Sequence, residues 1–313
     1  MTTQRSAPKP TEDTERRERW SAAAAVGVTV LAWASAFVAI RMVGPSIGPG
    51  PLALGRLLIG SAALGAVLLV RGGWVRPTRK EWALAAVCGL SWFAVYNVAL
   101  NAAELRVDAG TTAMLVNIGP ILIAVLAGVL LGEGFPRRLL AGVAVAFAGV
   151  LLIGAATVGE APADAVGVAL CLLAACTYAI GVLSQKPVLR RIPAVQVTWL
   201  ACTIGAVACL PYAPALVADV GAAPAGAVGG LVYLGLVPTA LAFGTWAYAL
   251  SRIDAGRLGV STYLVPPITV AMAWPLTGEA PALAALAGGA VCLAGVALSR
   301  SRPGAKGRAR RRT

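Results

Sequence analysis

The chain has 313 residues, 58% of them hydrophobic and only 12% charged, with a formal net charge of +13. A soluble domain of this length carries about twice that share of charge, so an ordinary soluble globular fold is excluded. There is no histidine, which excludes histidine-based metal sites, Ser-His triads and Cys-His pairs.

In chain order, a basic tail over residues 1–19 leads into an apolar run near 21–41. Nine more runs follow, near 51–70, 81–101, 109–131, 138–156, 165–185, 194–214, 226–250, 255–277 and 280–299, and a second basic tail covers 301–313. Each run is roughly 20 residues, enough to cross a ~30 Å hydrocarbon core as a helix. The expected fold is therefore an all-α integral membrane protein of ten transmembrane helices. Arg16-Arg17, the first apolar run and Ala34-Ser35-Ala36 together look like a cleavable signal peptide. The apolar stretch continues past that point, however, and Trp33 to Arg41 aligns with Tyr178 to Lys186. The first run is read as a retained span.

The second half repeats the first. Residues 108–152 return without gaps at 254–298, and seventeen of the forty-five aligned positions are identical. Asp108-Ala109-Gly110 pairs with Asp254-Ala255-Gly256, Pro120 with Pro266, and Gly132-Glu133 with Gly278-Glu279. Gly142 and Gly149 pair with Gly288 and Gly295 and read as close helix contacts. The units are assigned to 20–156 and 164–300, five spans each. Lys and Arg crowd alternate connections: Arg71, Arg76, Arg79 and Lys80; Arg137 and Arg138; Lys186, Arg190 and Arg191; Arg252 and Arg257; and both tails. The opposite side has only Arg41 and Arg106 among the bases. The positive-inside bias places both termini in the cytoplasm of a cell (inner) membrane protein. Because five spans make one repeat, the two copies are expected to have inverted topology, with Glu133 inside and Glu279 outside. The basic face, including Arg308 to Arg312, is expected to meet anionic lipid rather than nucleic acid.

Pro120 and Pro266 each lie twelve residues after an Asp that opens the helix, roughly 18 Å in and so near the midplane. Both, with Pro267, are candidate kinks. Candidate substrate-binding residues at similar depth are Trp33, Phe37, Trp92, Tyr96, Asn97 and Asn117 in the first unit. Tyr178, Trp246 and Tyr263 are those of the second. Polar groups at that depth rarely face lipid, and aromatic faces suit flat or apolar metabolites. Arg56 is the lone base well inside a span. It either meets an anionic substrate group or snorkels outward. Trp20, Trp74 and Trp82 read as interfacial belt residues. All thirteen acids fall in tails, connections or span ends, so strict proton coupling is not expected, with Glu104 and Asp108 the only substitutes for a mid-span carboxylate. No phosphate-binding G-x-x-x-x-G-K-[ST] occurs, and the six cysteines lack metal spacing; neither a cofactor nor a metal is expected.

The run Asp108…Pro120…Leu131-Gly132-Glu133…Gly142…Gly149-Val150 and its copy to Val296 resemble the EamA domain of the drug/metabolite transporter superfamily. The second copy departs from the pattern with Thr277 before Gly278-Glu279 and with Pro266-Pro267. The resemblance implies ten helices, both ends inside, and export of small metabolites in many members. The expected function is a non-enzymatic secondary transporter moving a small organic metabolite outward by alternating access. An importer or exchanger of the same fold is the alternative. A membrane enzyme or lipid flippase would want clustered acids or histidine at one face, and the sequence has no such cluster. Substrate identity, coupling and oligomeric state are not legible.

Overall fold

The computed structural model describes residues 12–130, 165–253, 255–278 and 283–300, with isolated positions between 141 and 152. The calls on Glu133, Glu279, Arg137, Arg138, Asp254 and Arg308 to Arg312 lie outside the described residues, as does most of the run near 138–156. No strand occurs among the described residues.

The first unit comprises α1 (Glu12–Val43), α2 (Pro49–Arg71), α3 (Arg79–Cys88), α4 (Tyr96–Glu104), α5 (Ala109–Val116) and α6 (Gly119–Leu130). The second comprises α7 (Ala165–Val188), α8 (Ala194–Ala208), α9 (Ala213–Ala222), α10 (Ala225–Leu234), α11 (Ala242–Arg252), α12 (Ala255–Ser261), α13 (Val265–Thr277) and α14 (Leu283–Arg300). Among the described residues, five helical stretches are long and apolar enough to cross a membrane: Trp20–Val43, Pro49–Arg71, Arg79–Glu104, Ala165–Val188 and Ala225–Arg252. α8 and α9, bent by 52°, make a sixth if taken as one span.

Local chemistry sets the ends and breaks. Thr78 and Glu81 form a reciprocal capping box at the start of α3, satisfying two backbone donors that a helix start leaves open. Asp108 caps α5 by accepting from the Thr111 N–H at 2.9 Å. Gly278 ends α13 in the left-handed region at φ 71°, a conformation that glycine alone enters at no steric cost. Of the repeated Gly-Glu pair, the glycine of the second copy is thus a helix stop.

Two interruptions recur at the repeat period. A π-helical turn at Gly89–Val95 joins α3 to α4, and another at Gly235–Leu241 joins α10 to α11. Pro238 accounts for the second, since it has no N–H to offer the helix. The run near 109–131 is parted into α5 and α6 at Asn117 and Ile118, and Thr262–Leu264 forms a 3₁₀ turn between α12 and α13. Each break stands just ahead of a proline, Pro120 or Pro266.

The two units interleave. α7 runs antiparallel to α3–α4: Tyr178 packs beside Tyr96, with ring centroids 6.4 Å apart, and Gly181 lies against Trp92. α1 instead runs in the same sense as α3–α4, with Trp33 beside Trp92 at 6.0 Å and Arg41 donating to the Glu104 carbonyl. α11 and α10 return antiparallel to α1 through Ser21–Tyr248 at 3.0 Å, Thr29–Thr245 at 2.7 Å and Ser35–Tyr233 at 2.6 Å. In a bilayer such contacts matter more than apolar burial, because lipid is as apolar as leucine. Close approach supplies the rest. A methyl group at Gly181 would stand 2.3 Å from Trp92 Cβ, and one at Gly119 would stand 2.3 Å from the Tyr178 ring.

At one end the loop before α3 is tied to α8. Gln196 accepts from the Val75 N–H at 3.0 Å and donates to the Val75 carbonyl at 2.6 Å. Arg191 binds Glu81 and the Arg76 carbonyl, and its pKa is raised by the bond to Glu81. Trp20, Trp74 and Trp82 are all exposed.

Candidate functional site

The two units meet at an aromatic cavity. Trp33 and Phe37 of α1, Trp92 of the π turn, Tyr96 of α4, and Ala113, Val116 and Asn117 at the end of α5 form one side. Tyr178 of α7, Thr262 and Val265 complete it from the second unit. Its volume is about 40 Å³, room for a few waters and well below the several hundred Å³ of a typical metabolite pocket.

The rings support one another. Trp92 lies 5.1 Å from Tyr178, 4.9 Å from Phe243 and 6.0 Å from Trp246. Trp33 lies 5.0 Å from Trp246. Trp246 is therefore a backing residue rather than a wall residue: it is fully buried and touches the cavity through Trp33.

Asn117 is held by its counterpart's neighbour. Pro266 has no N–H, so the carbonyl four residues earlier, that of Thr262, lacks its α-helical donor and accepts instead from the Val265 N–H of the 3₁₀ turn. Asn117 Nδ2 is a second donor to it at 2.9 Å, and the Thr262 hydroxyl lies 3.3 Å from Asn117 Oδ1. The polar pair thus spans the seam between the units, at the floor of the aromatic wall.

Asn97 does not line the cavity. It is fully buried, and its Nδ2 donates to the Phe93 carbonyl at 2.7 Å and the Trp92 carbonyl at 3.4 Å. It braces the π turn that aims Trp92. Tyr263 also lies off the wall, half-buried against the core around α1 and α5. Arg56 does not snorkel: it is 3% exposed. Its Nε donates to the Thr239 hydroxyl at 3.0 Å, and Thr239 in turn donates to the Leu234 carbonyl at 2.7 Å. Arg56 Nη1 has no hydrogen-bond partner among the described residues, and Tyr96 of the cavity wall lies within its electrostatic reach.

Sequence reasoning missed Thr262, Val265, Ala113, Val116 and the backing ring Phe243. Thr262 carried a signal, its place four residues before Pro266. The small apolar positions carried none, since Ala and Val fill every span.

Both ends of the bundle are tied by a cation on a helix end. Arg41 donates to the carbonyl of Glu104, at the end of α4. Lys186 donates to the carbonyls of Leu250 at 2.6 Å and Ile253 at 2.9 Å, at the end of α11. Arg41 and Lys186 occupy equivalent repeat positions, and so do Glu104 and Leu250. Because α7 runs antiparallel to α3–α4, the two ties stand at opposite ends. Arg41 also borders an open cleft of about 530 Å³ with Met42, Pro45, Leu105, Leu276 and Thr277.

The model of the EamA-like transporter family matches residues 20–155 and again 165–301. The chain belongs to the EamA-like transporter family. This EamA protein is thus a multi-pass membrane protein of a transporter family built from two repeats. It is 38% identical over 274 residues to a probable terminal-alkyne amino-acid exporter of Streptantibioticus cattleyicolor, covering 88% of this chain and 91% of that one. An uncharacterized transporter of Bacillus subtilis is 33% identical, covering 84% and 86%. A probable amino-acid metabolite efflux pump of Salmonella typhimurium is 27% identical, covering 62% and 68%. A solved crystal structure 21% identical in sequence superposes with a TM-score of 0.62 over 90% of this chain and 98% of the other, and shares the fold.

Proposed function

We propose that this EamA protein is a secondary carrier of the inner membrane that exports a small amino-acid-like metabolite. In this reading it works by alternating access between two inverted five-span repeats. The observation that carries the proposal is the aromatic cavity walled by both units and bridged by Asn117 and Thr262. A site shared between repeats is one that rocking the repeats can expose to either side in turn. The antiparallel course of α7 against α3–α4, with α1 running the other way, supports the inversion.

The ties at Arg41 and Lys186 act as the two gates. In this reading, with both made and the cavity at about 40 Å³, substrate entry requires one tie to release and the aromatic wall to part. Pro120 and Pro266, beside the helix breaks, are where α5–α6 and α12–α13 bend. Both termini face the cytoplasm, and the basic loops face anionic headgroups. The relatives named as amino-acid exporters support both the direction and the class of cargo.

The test is counterflow of a panel of amino acids, including apolar and alkynyl ones, in proteoliposomes holding the full chain. Wild-type protein moves at least one member. Trp92→Ala, Tyr96→Ala and Tyr178→Ala each lower that rate at normal expression. Normal transport by all three variants would remove the cavity from the pathway.

A further inference from the structure

Arg56 has features that packing does not require. It is 3% exposed two turns into α2, yet among the described residues no carboxylate stands within ion-pair distance of it. One nitrogen, Nε, is committed to Thr239 of the second π turn, and that hydroxyl is itself locked to the Leu234 carbonyl at the end of α10. The guanidinium is therefore held in one orientation, with Nη1 left without a hydrogen-bond partner among the described residues. A buried cation without a counter-charge is costly in a bilayer, and such groups mark substrate routes. The adjoining wall of the cavity is Tyr96, within electrostatic reach of the guanidinium.

We propose that Arg56 is the residue that receives the carboxylate of the transported molecule, at the Tyr96 edge of the cavity. The proposal rests on the transport reading above and adds to it the chemical group that is recognised. Arginine suits this task because its planar fork matches a carboxylate through two parallel bonds, a geometry lysine cannot reproduce. Thr239 is then a positioning residue, and the second π turn has a use: it brings Thr239 against α2 at Arg56. The aromatic rings of Trp33, Trp92 and Tyr178 take the rest of the molecule, including an ammonium group over a ring face.

The experiment compares L-propargylglycine, a terminal-alkyne amino acid, with its carboxamide in proteoliposomes holding the full chain. The wild type is expected to favour the acid by about tenfold or more in KM, the scale of hydrogen bonds to a charged group. Arg56→Gln raises the KM for the acid about as much and leaves that for the amide near its wild-type value. Arg56→Lys, which keeps the charge but loses the fork, falls between them, and it decides the matter if Arg56→Gln does not fold. Equal KM for acid and amide in the wild type, or an unchanged ratio in both variants, overturns the role of Arg56 while leaving transport standing. Failure of the wild type to move the acid or any other panel member overturns both.

Discussion

Lys186→Met removes the charge from one end tie while keeping a side chain of similar length. Two hydrogen bonds are lost, to the carbonyls of Leu250 and Ile253 at 2.6 and 2.9 Å. An interhelical hydrogen bond in a membrane averages about 0.6 kcal/mol, so the pair is worth about 1.2 kcal/mol, or about a sevenfold change in the ratio of open to closed forms. The assay places a single cysteine at Val116, on the cavity wall, in a chain stripped of its own cysteines. An impermeant thiol reagent is then applied from either side of oriented vesicles. Lys186→Met should raise labelling severalfold from the Lys186 side and lower it from the other. Arg41→Met should do the reverse, because its tie to the Glu104 carbonyl stands at the opposite end. Labelling that rises from the same side in both variants, or changes in neither, would refute the idea that these bonds are gates.

Other outcomes follow from packing and charge. Gly181→Ala puts a methyl 2.3 Å from Trp92 Cβ, an atom too close to the backbone to move aside. Overpacking of this kind costs about 1–3 kcal/mol, so the thermal midpoint in detergent falls, whereas Gly27→Ala, with nothing within 4 Å and a better helix former in place, does not lower it. Since no acid lies in the middle of a predicted span, counterflow should persist after the proton gradient is collapsed. Strict dependence on that gradient, lost in Glu104→Gln or Asp108→Asn, would reverse this expectation.

The repeat was legible because it rests on residues whose roles are local and chemically specific. Asp108 caps a helix, Gly278 stops one, and Pro120 and Pro266 each stand beside a break, so all recur at one period. The aromatic wall was legible in outline for a related reason: rings at matching depth must gather somewhere, and Trp33, Phe37, Trp92, Tyr96 and Tyr178 do. The π turns left no trace, since no residue type demands one; Gly89–Val95 contains no proline, while Gly235–Leu241 contains Pro238. Asn97 therefore looked like a wall residue, whereas its Nδ2 is bonded to the carbonyls of Trp92 and Phe93. The end ties were hidden because their acceptors are backbone carbonyls, which every residue has. Arg56 stood undecided between meeting an anionic substrate group and snorkelling. Its inward course depends on Thr239, 183 positions away, and sequence spacing cannot bring those two together.

The central claim is that cargo passes through the cavity between the two repeats, and protection of the Val116 position tests it most directly. The single-cysteine chain is labelled in proteoliposomes with and without a saturating amount of an amino acid that it transports, and a second chain carrying its cysteine at exposed Val217 serves as control. Cargo in the cavity should slow labelling at position 116 severalfold and leave position 217 untouched. Equal labelling at 116 with and without a cargo that the same vesicles demonstrably move would place the route elsewhere.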